Sequence, residues 1–291
     1  MITSSEISHH YAFVNGIRFH YVKAGTGKRL VLLLHGFPEF WYSWRHQIPA
    51  LSEDFTVVAP DLRGYNLTDK PTWGYETDVL AQDVVGLIAE LGCETAIVVG
   101  HDWGGAIAWA TAIAFPQRVE RLIVLNCPHP AVFRTALRTN RAQQKRSWYM
   151  GAFQIPWLPE AAIRANDYAF IERAFRGWAI DKSAFSDEDI NAYKTALAQP
   201  GALTAAINYY RAAARTGNTG ESKSTGSVVS IPTLLIWGEE DQALGKELTY
   251  GYEQYVPDFR VKYISNCSHW VQQERPAEVN WFMREFLADL V

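Results

Sequence analysis

Six short apolar runs constrain the fold of this chain more than any other feature of its sequence. Each is rich in Val, Ile or Leu and is bounded by turn residues: Leu30–Leu34, Phe55–Ala59, Ala96–Val99, Leu122–Leu125, Thr233–Trp237 and Val261–Ile264. Runs of this length and composition are typical of strands that are buried on both faces of a parallel sheet. Segments of helical composition, Thr77–Leu91 and Gly105–Phe115, separate some of these runs. The alternation predicts a wound α/β sheet.

A hairpin is predicted before these runs, and a helical segment interrupts them. Tyr11–Val14 and Ile17–Tyr21 alternate around Asn15-Gly16, a dipeptide that suits a tight turn with positive φ. Later the strand rhythm gives way to three predicted helices and a return rich in Gly, Ser and Thr: Ala131–Met150, Ala161–Trp178, Asp187–Ala214 and Gly217–Ser230. We therefore predict an α/β core formed by residues 1–127 and 227–291, with residues 128–226 inserted as a helical cap.

Composition and charge narrow the classes of protein to which the chain can belong. Hydrophobic residues make up 48% of the sequence, the net charge is −4, and only three cysteines occur, without metal-ligand spacing. This balance gives no general attraction to nucleic acid or to anionic membranes. No signal peptide is recognisable in residues 1–13, and no apolar run is long enough to span a membrane. We expect a soluble cytoplasmic protein with no nucleic-acid or membrane partner.

One local departure from this charge balance is a set of cations at helical spacing. Arg134, Arg138, Arg141 and Lys145 would form a basic stripe if they lay on one helix. A solvated helix face is the simpler interpretation of such a stripe.

The segment around Gly100-His101-Asp102-Trp103-Gly104 carries the strongest chemical signal. A predicted strand leads into these residues and a predicted helix follows, which is the context of a nucleophile elbow. An elbow usually presents a serine, whereas the central residue here is Asp102. A carboxylate is already anionic at neutral pH, so it can attack a saturated carbon directly and form an alkyl ester. The alternative is a glycine-rich turn in which Asp102 merely caps the helix.

Three further features favour the catalytic interpretation. His35-Gly36-Phe37-Pro38-Glu39 follows the first buried run, and the Phe37 amide could join the Trp103 amide in an oxyanion hole. Pro38 could adopt the cis form. Asp241 follows a late strand and His269 follows the last one, so nucleophile, acid and histidine occur in the order expected for a fold with such an elbow. Glu239 and Glu240 are the alternatives to Asp241.

The sequence resembles the epoxide hydrolases of the α/β-hydrolase superfamily. The resemblance rests on His35–Pro49, Pro60–Gly64 and Gly100–Gly105; it covers nearly the whole chain and is strongest over residues 30–130. Asn66 departs from the family, whose loop more often has Gly, and this bears on local backbone shape. The resemblance implies hydrolysis of a small apolar epoxide by water without a metal or an organic cofactor.

The resemblance also implies roles for residues outside the triad of Asp102, Asp241 and His269. Two cap tyrosines of the family donate to the epoxide oxygen, and the matching segments contain Tyr149 and Tyr210, with Tyr209 as the rival of Tyr210. A phenol with a pKa near 10 is a suitable donor to an alkoxide. His35, Pro38 and Glu39 are implied to position substrate or water, although a surface carboxylate is the alternative for Glu39.

Two other functions use the same fold. Haloalkane and haloacid dehalogenases share the Asp–His–Asp machinery, but Phe37 stands where the loop of haloalkane dehalogenases often has Asn, and Trp103 and Ala106 stand where fluoroacetate dehalogenases have arginines. A substrate carboxylate would then lack its ionic partner. The second alternative is a ligand-binding protein without catalysis, which a degraded triad would favour. The sequence leaves the natural substrate and the choice between a monomer and a homo-oligomer open.

Overall fold

The computed structural model of the protein describes residues 7–216 and 228–291. Its described strands form one eight-stranded sheet in the order β1-β2-β4-β3-β5-β6-β7-β8. The strands are β1 (Ser8–Val14), β2 (Ile17–Ala24), β3 (Leu30–Leu34), β4 (Thr56–Pro60), β5 (Ala96–His101), β6 (Val119–Leu125), β7 (Thr233–Gly238) and β8 (Phe259–Ile264). β1 pairs antiparallel with β2, and β2 with β4, while every pair from β4 to β8 is parallel. The predicted hairpin and the mostly parallel sheet are confirmed.

Alternate residues of the central strands enter two separate cores. Leu32 and Leu34 of β3 share a cluster with apolar residues of α2 (Thr77–Glu90) and α3 (Trp103–Ala114). Val31 and Leu33 share the other with residues of α1 (Gln47–Leu51) and α11 (Pro276–Leu287). Because side chains alternate between the faces of a strand, helices on both sides of the sheet require a run that is apolar at every position.

Between β6 and β7, the described part of the chain forms six α-helical segments and a short 3₁₀ helix, Lys182–Ala184. The α-helical segments are α4 (Pro130–Thr139), α5 (Arg141–Arg146), α6 (Trp148–Ala152), α7 (Leu158–Trp178), α8 (Asp187–Leu197) and α9 (Ala202–Arg215). Residues 165–168 inside α7 have non-helical backbone angles, so α7 is two helices joined at a kink. The prediction of one helix over Ala131–Met150 was wrong, because Asn140 ends α4 and its side chain accepts the amides of Ala142 and Gln143 in the first turn of α5. Asp187–Ala214 is likewise two helices, separated near Gly201, whose φ is +82°. Most of the predicted return, Gly217–Ser230, lies outside the described residues.

The carboxyl ends of the parallel strands place their loops along one edge of the sheet. Asp102 follows β5, Asn126 follows β6, Asp241 comes shortly after β7 and His269 comes after β8. This edge is where wound α/β sheets bind ligands. The short helix α10 (Val271–Glu274) begins just beyond His269. Within residues 7–216 and 228–291, every helix is too short or too polar to cross a bilayer.

Candidate active site

Asp102 lies in a tight turn that connects β5 directly to α3. Its backbone has φ +50° and ψ −120°, a region that L-residues rarely adopt. The turn needs very small neighbours: a Cβ added to Gly104 would lie 2.1 Å from the Leu34 carbonyl oxygen, and one added to Gly36 would lie 2.4 Å from Asp102 Cβ. The strained turn holds the carboxylate at the start of α3, as the elbow pattern predicts.

His269 lies between two carboxylates. Its Nδ1 is 2.7 Å from Asp241 Oδ2, and its Nε2 is 3.5 Å from Asp102 Oδ2. Glu239 instead pairs with Lys246, and Glu240 accepts the Cys267 amide at 3.0 Å. Of the three adjacent acids, Asp241 is therefore the one that bonds to the histidine.

The charges of this triad shift the pKa values of its members. Burial alone would lower the pKa of His269, but the charges of Asp241 and Asp102 and its hydrogen bonds to both raise that pKa to about 10. Burial alone would raise the pKa of Asp102, but His269, with His101 and the Phe37 amide, holds it below its ordinary value. At neutral pH the free protein therefore holds an imidazolium between two carboxylates.

Backbone amides approach Asp102 from two sides. The Phe37 N–H donates to Asp102 Oδ1 at 2.8 Å, and the Phe37–Pro38 peptide bond is cis. Trp103 is the first residue of α3, so its amide has no carbonyl partner within the helix. The two amides that the sequence suggested for an oxyanion hole thus belong to the loop and the helix start that flank the carboxylate.

Two cavities lie next to Asp102. The larger measures about 720 Å³ and the smaller about 230 Å³, and Asp102, Tyr149 and Tyr210 line both. The rest of the wall of the larger cavity is mainly apolar and includes the side chains of Phe153, Phe170 and Trp178. The site therefore suits an apolar molecule whose reactive centre lies between the carboxylate and two phenols.

Tyr209 and Tyr210 are adjacent in sequence but face different surroundings. The Tyr209 hydroxyl donates to the Arg63 carbonyl oxygen at 2.8 Å, and its side chain is fully buried. The Tyr210 ring packs edge-on against Trp103 at 5.1 Å and Tyr149 at 5.9 Å and lines both cavities. The structure thus favours Tyr210 over Tyr209 as the second phenol of the site.

Comparison with known proteins agrees with this geometry. Residues 29–276 match the model of the alpha/beta hydrolase fold family. The chain is 42% identical to human Epoxide hydrolase 4, over 94% of this chain and 77% of that protein. A crystal structure of the Bacillus megaterium epoxide hydrolase, solved with an inhibitor, covers 96% of this chain and 100% of its own, with 38% identity and a TM-score of 0.89. This chain belongs to the epoxide hydrolases of the α/β hydrolase family.

Another relative has a name that specifies no reaction. The AB hydrolase superfamily protein YfhM of Bacillus subtilis is 44% identical, over 94% of this chain and 95% of that protein. Membership makes this protein a hydrolase and confirms the resemblance inferred from its motifs. The roles of individual residues still rest on the geometry of this epoxide hydrolase itself.

Of the residues expected to position substrate or water, Pro38 lines the larger cavity. His35 is fully buried, and its Nε2 accepts the Leu62 amide at 3.0 Å. The surface alternative for Glu39 is wrong, because its side chain is 2% exposed. Glu39 accepts hydrogen bonds from the Gly36 amide and from His101, Gln272 and Gln273 at 2.7–3.0 Å.

Sequence reasoning missed two residues that hold the triad of this epoxide hydrolase. Asn126 donates to Asp241 Oδ2 at 2.7 Å and accepts the Gly238 amide at 2.9 Å. His101 bridges Glu39 and the His269 carbonyl oxygen, each at 2.8 Å. The signal for both was their position at a strand end, but their partners are distant in sequence and only the fold brings them together.

Proposed function

We propose that this protein hydrolyses an apolar epoxide to a vicinal diol through an alkyl ester on Asp102. The observation that carries the proposal is a carboxylate at the elbow, facing two phenols across a shared cavity and flanked by a histidine. We propose further that residues 128–226 are a cap, because Tyr149 on α6 and Tyr210 on α9 complete the site from that insertion.

The first step is ring opening. An Asp102 oxygen attacks a ring carbon, the carbon–oxygen bond of the epoxide breaks, and the electron pair of that bond moves to the epoxide oxygen. Tyr149 and Tyr210 donate hydrogen bonds to this oxygen as its charge develops, and one phenol proton converts the alkoxide to a hydroxyl group. Burial raises the pKa of both phenols, so they are protonated before the reaction.

Ester formation also prepares His269 for the second step. The charge of Asp102 and its hydrogen bond both raise the pKa of His269 in the free protein. Esterification removes that charge, so the pKa of His269 falls and the imidazolium can release its proton. The phenolate left by proton donation to the alkoxide takes up the proton that His269 releases, so both tyrosines are again phenols and the net charge of the complex is unchanged.

The second step is hydrolysis of the ester. Neutral His269, held by Asp241 at 2.7 Å, removes a proton from water, and the oxygen of that water attacks the Asp102 carbonyl carbon. The Phe37 and Trp103 amides stabilise the resulting oxyanion. The bond between the carbonyl carbon and the alkyl oxygen then breaks, and the diol leaves with the proton that His269 took from water. Asp102 is left as a carboxylic acid, whose proton passes to His269, so the carboxylate and the imidazolium of the free protein are both restored.

The mass of a trapped intermediate tests this proposal. In His269→Gln the ester should form and persist, so exposure to an epoxide should add the mass of the whole epoxide to the protein. Asp102→Ala is the matched control and should gain no mass. An adduct formed only from alkyl halides, with the halogen lost, would favour a dehalogenase. No adduct, together with an inert wild-type protein, would favour a ligand-binding protein.

A further inference from the structure

The outer surface of the cap combines exposed aromatic and aliphatic side chains with unpaired cations. Within eleven residues, from α6 to the start of α7, four large apolar side chains are strongly exposed: Trp148 by 71%, Ile155 by 46%, Trp157 by 83% and Leu158 by 60%. Single exposed apolar residues are ordinary, but a cluster marks a surface that contacts something other than water. We call these four residues the apolar rim.

The backbone holds one member of the rim outward in an unusual conformation. Trp157 has φ +60°, in the left-handed region that bulky residues rarely occupy. Its side chain is also the most exposed of the large hydrophobic residues in the described chain. A tryptophan that is both strained and exposed gains little from the protein's own core, which leaves most of its apolar surface free to contact another molecule.

The charge around the rim differs in sign from the charge of the chain as a whole. Residues 128–178 contain eight Lys and Arg against three Asp and Glu, whereas the whole chain contains 27 against 31. Each of the three acids already has a cation: Glu160 pairs with Arg211, Asp167 with Lys194, and Glu172 with Arg176. The local excess of positive charge is therefore not cancelled inside the segment.

The remaining cations of the segment are available to an external anion. Among residues 7–216 and 228–291, none of the carboxylates forms an ion pair with Arg141, Lys145, Arg164 or Arg173, all of which are exposed. The basic stripe inferred from the sequence is thus divided between α4 and α5, and its second half borders the rim.

The rim also opens into the catalytic cavity. Trp148, Ile155 and Leu158 line the same 720 Å³ cavity as Asp102, together with Lys145 and Arg173. A molecule entering between these side chains passes from an apolar and basic surface directly to the nucleophile. Tryptophan and leucine flanked by Lys and Arg are the side chains that favour the interface of an anionic bilayer.

We propose that the apolar rim and its cations dock the protein on an anionic membrane surface, from which lipophilic substrate enters the cavity. Substrate delivery rests on the proposed function, whereas docking does not. This proposal departs from the expectation of no membrane partner, which rested on the net charge of the chain and on the lack of an apolar run long enough to span a membrane. The proposed contact is peripheral and needs no spanning segment. Each cation near the membrane surface contributes about fivefold in affinity, and salt screens these charges, so binding should weaken as the salt concentration rises.

Co-sedimentation with vesicles, without substrate, tests the docking. The wild-type protein should bind vesicles of phosphatidylglycerol and phosphatidylcholine more tightly than pure phosphatidylcholine, and 0.5 M salt should release it. Trp157→Ala should weaken this binding, and Arg141→Gln with Arg164→Gln should weaken it about 25-fold. Trp281→Ala is the matched control, because Trp281 is 59% exposed on α11, away from the cap segment, and should bind like wild type.

The outcomes separate docking from catalysis. Trp157, Arg141 and Arg164 do not line the cavities at Asp102, so their variants should turn over a water-soluble epoxide at the wild-type rate. Wild-type protein that stays in the supernatant, or binding that Trp157→Ala leaves unchanged, would overturn the docking proposal. A lipid-free dimer that Trp157→Ala dissociates would assign the rim to a second copy of the chain instead. Vesicle binding without turnover of any epoxide would refute the proposed function alone.

Discussion

Replacing each of two adjacent tyrosines by phenylalanine should separate catalysis from stability. Tyr209 and Tyr210 differ by one position on α9, and each substitution removes one hydroxyl group. The Tyr210 phenol lines the cavities at Asp102, whereas the Tyr209 phenol donates to the Arg63 carbonyl oxygen at 2.8 Å. The same chemical change is therefore made at two sites with different functions.

The expected magnitudes follow from the two kinds of hydrogen bond. A bond to a developing alkoxide contributes about 1.5–3 kcal/mol, so Tyr210→Phe should slow ester formation about 10- to 100-fold. Tyr149 still donates in that variant, which keeps the loss from being complete. Tyr209→Phe leaves a buried carbonyl oxygen without its donor and should lower the free energy of unfolding by about 1–3 kcal/mol. Its rate of ester formation should match wild type.

Single-turnover kinetics and denaturant unfolding measure the two effects separately. Trp103 adjoins Asp102, so a change in tryptophan fluorescence on mixing excess enzyme with an epoxide should report ester formation. Urea unfolding of each variant gives the change in stability. A Tyr209→Phe protein that is slow but stable, beside a Tyr210→Phe protein that is fast but destabilised, would refute the assignment of the two phenols.

Three further predictions concern the elbow and the histidine. Gly36→Ala places a Cβ 2.4 Å from Asp102 Cβ and should slow ester formation about 100-fold by displacing the carboxylate; Gly151→Ala, which meets open space, should have no such effect. Asp241→Asn removes the largest cause that raises the pKa of His269 and should slow ester hydrolysis about 10²–10⁴-fold, while ester formation proceeds. The pKa of Asp102 is below its ordinary value, so the rate of ester formation should stay flat from pH 5 to 8, whereas the rate of hydrolysis should rise as His269 loses its proton.

Stopped-flow measurements of the rates of ester formation and ester hydrolysis over this pH range, together with the amount of ester that accumulates, test all three predictions. Equal rates for Gly36→Ala and wild type would contradict the crowding argument at the elbow. Asp241→Asn protein that accumulates no ester would place Asp241 in the first step. A rate of ester formation that falls between pH 8 and pH 5 would mean that Asp102 is protonated in that range, against its lowered pKa.

The sequence alone was sufficient to predict the site residues that stand at the ends of strands. Asp102, Asp241 and His269 each follow an apolar run, and parallel strands bring their carboxyl ends to one edge whatever the loops contain. Asn66 is a similar case: its φ of +39° occupies the backbone region that favours the glycine more common in the family. Local patterns could predict these features because the physical constraint is itself local.

Other features depend on contacts that a single sequence does not reveal. Adjacent residues on a helix point about 100° apart, so the choice between Tyr209 and Tyr210 required the orientation of α9 against the core. The burial of Glu39 depends on Gln272 and Gln273, more than 200 positions away. The break at Asn140 was missed because its capping bonds compete with a helical pattern that otherwise continues.

The source of the oxygen atom in the diol tests the covalent mechanism most directly. A single turnover with excess enzyme in ¹⁸O-labelled water should give an unlabelled diol, because the new hydroxyl oxygen comes from Asp102, and the label should appear in the peptide that contains Asp102. A diol labelled in that first turnover, with an unlabelled Asp102 peptide, would show that water attacks the epoxide directly and would contradict the account.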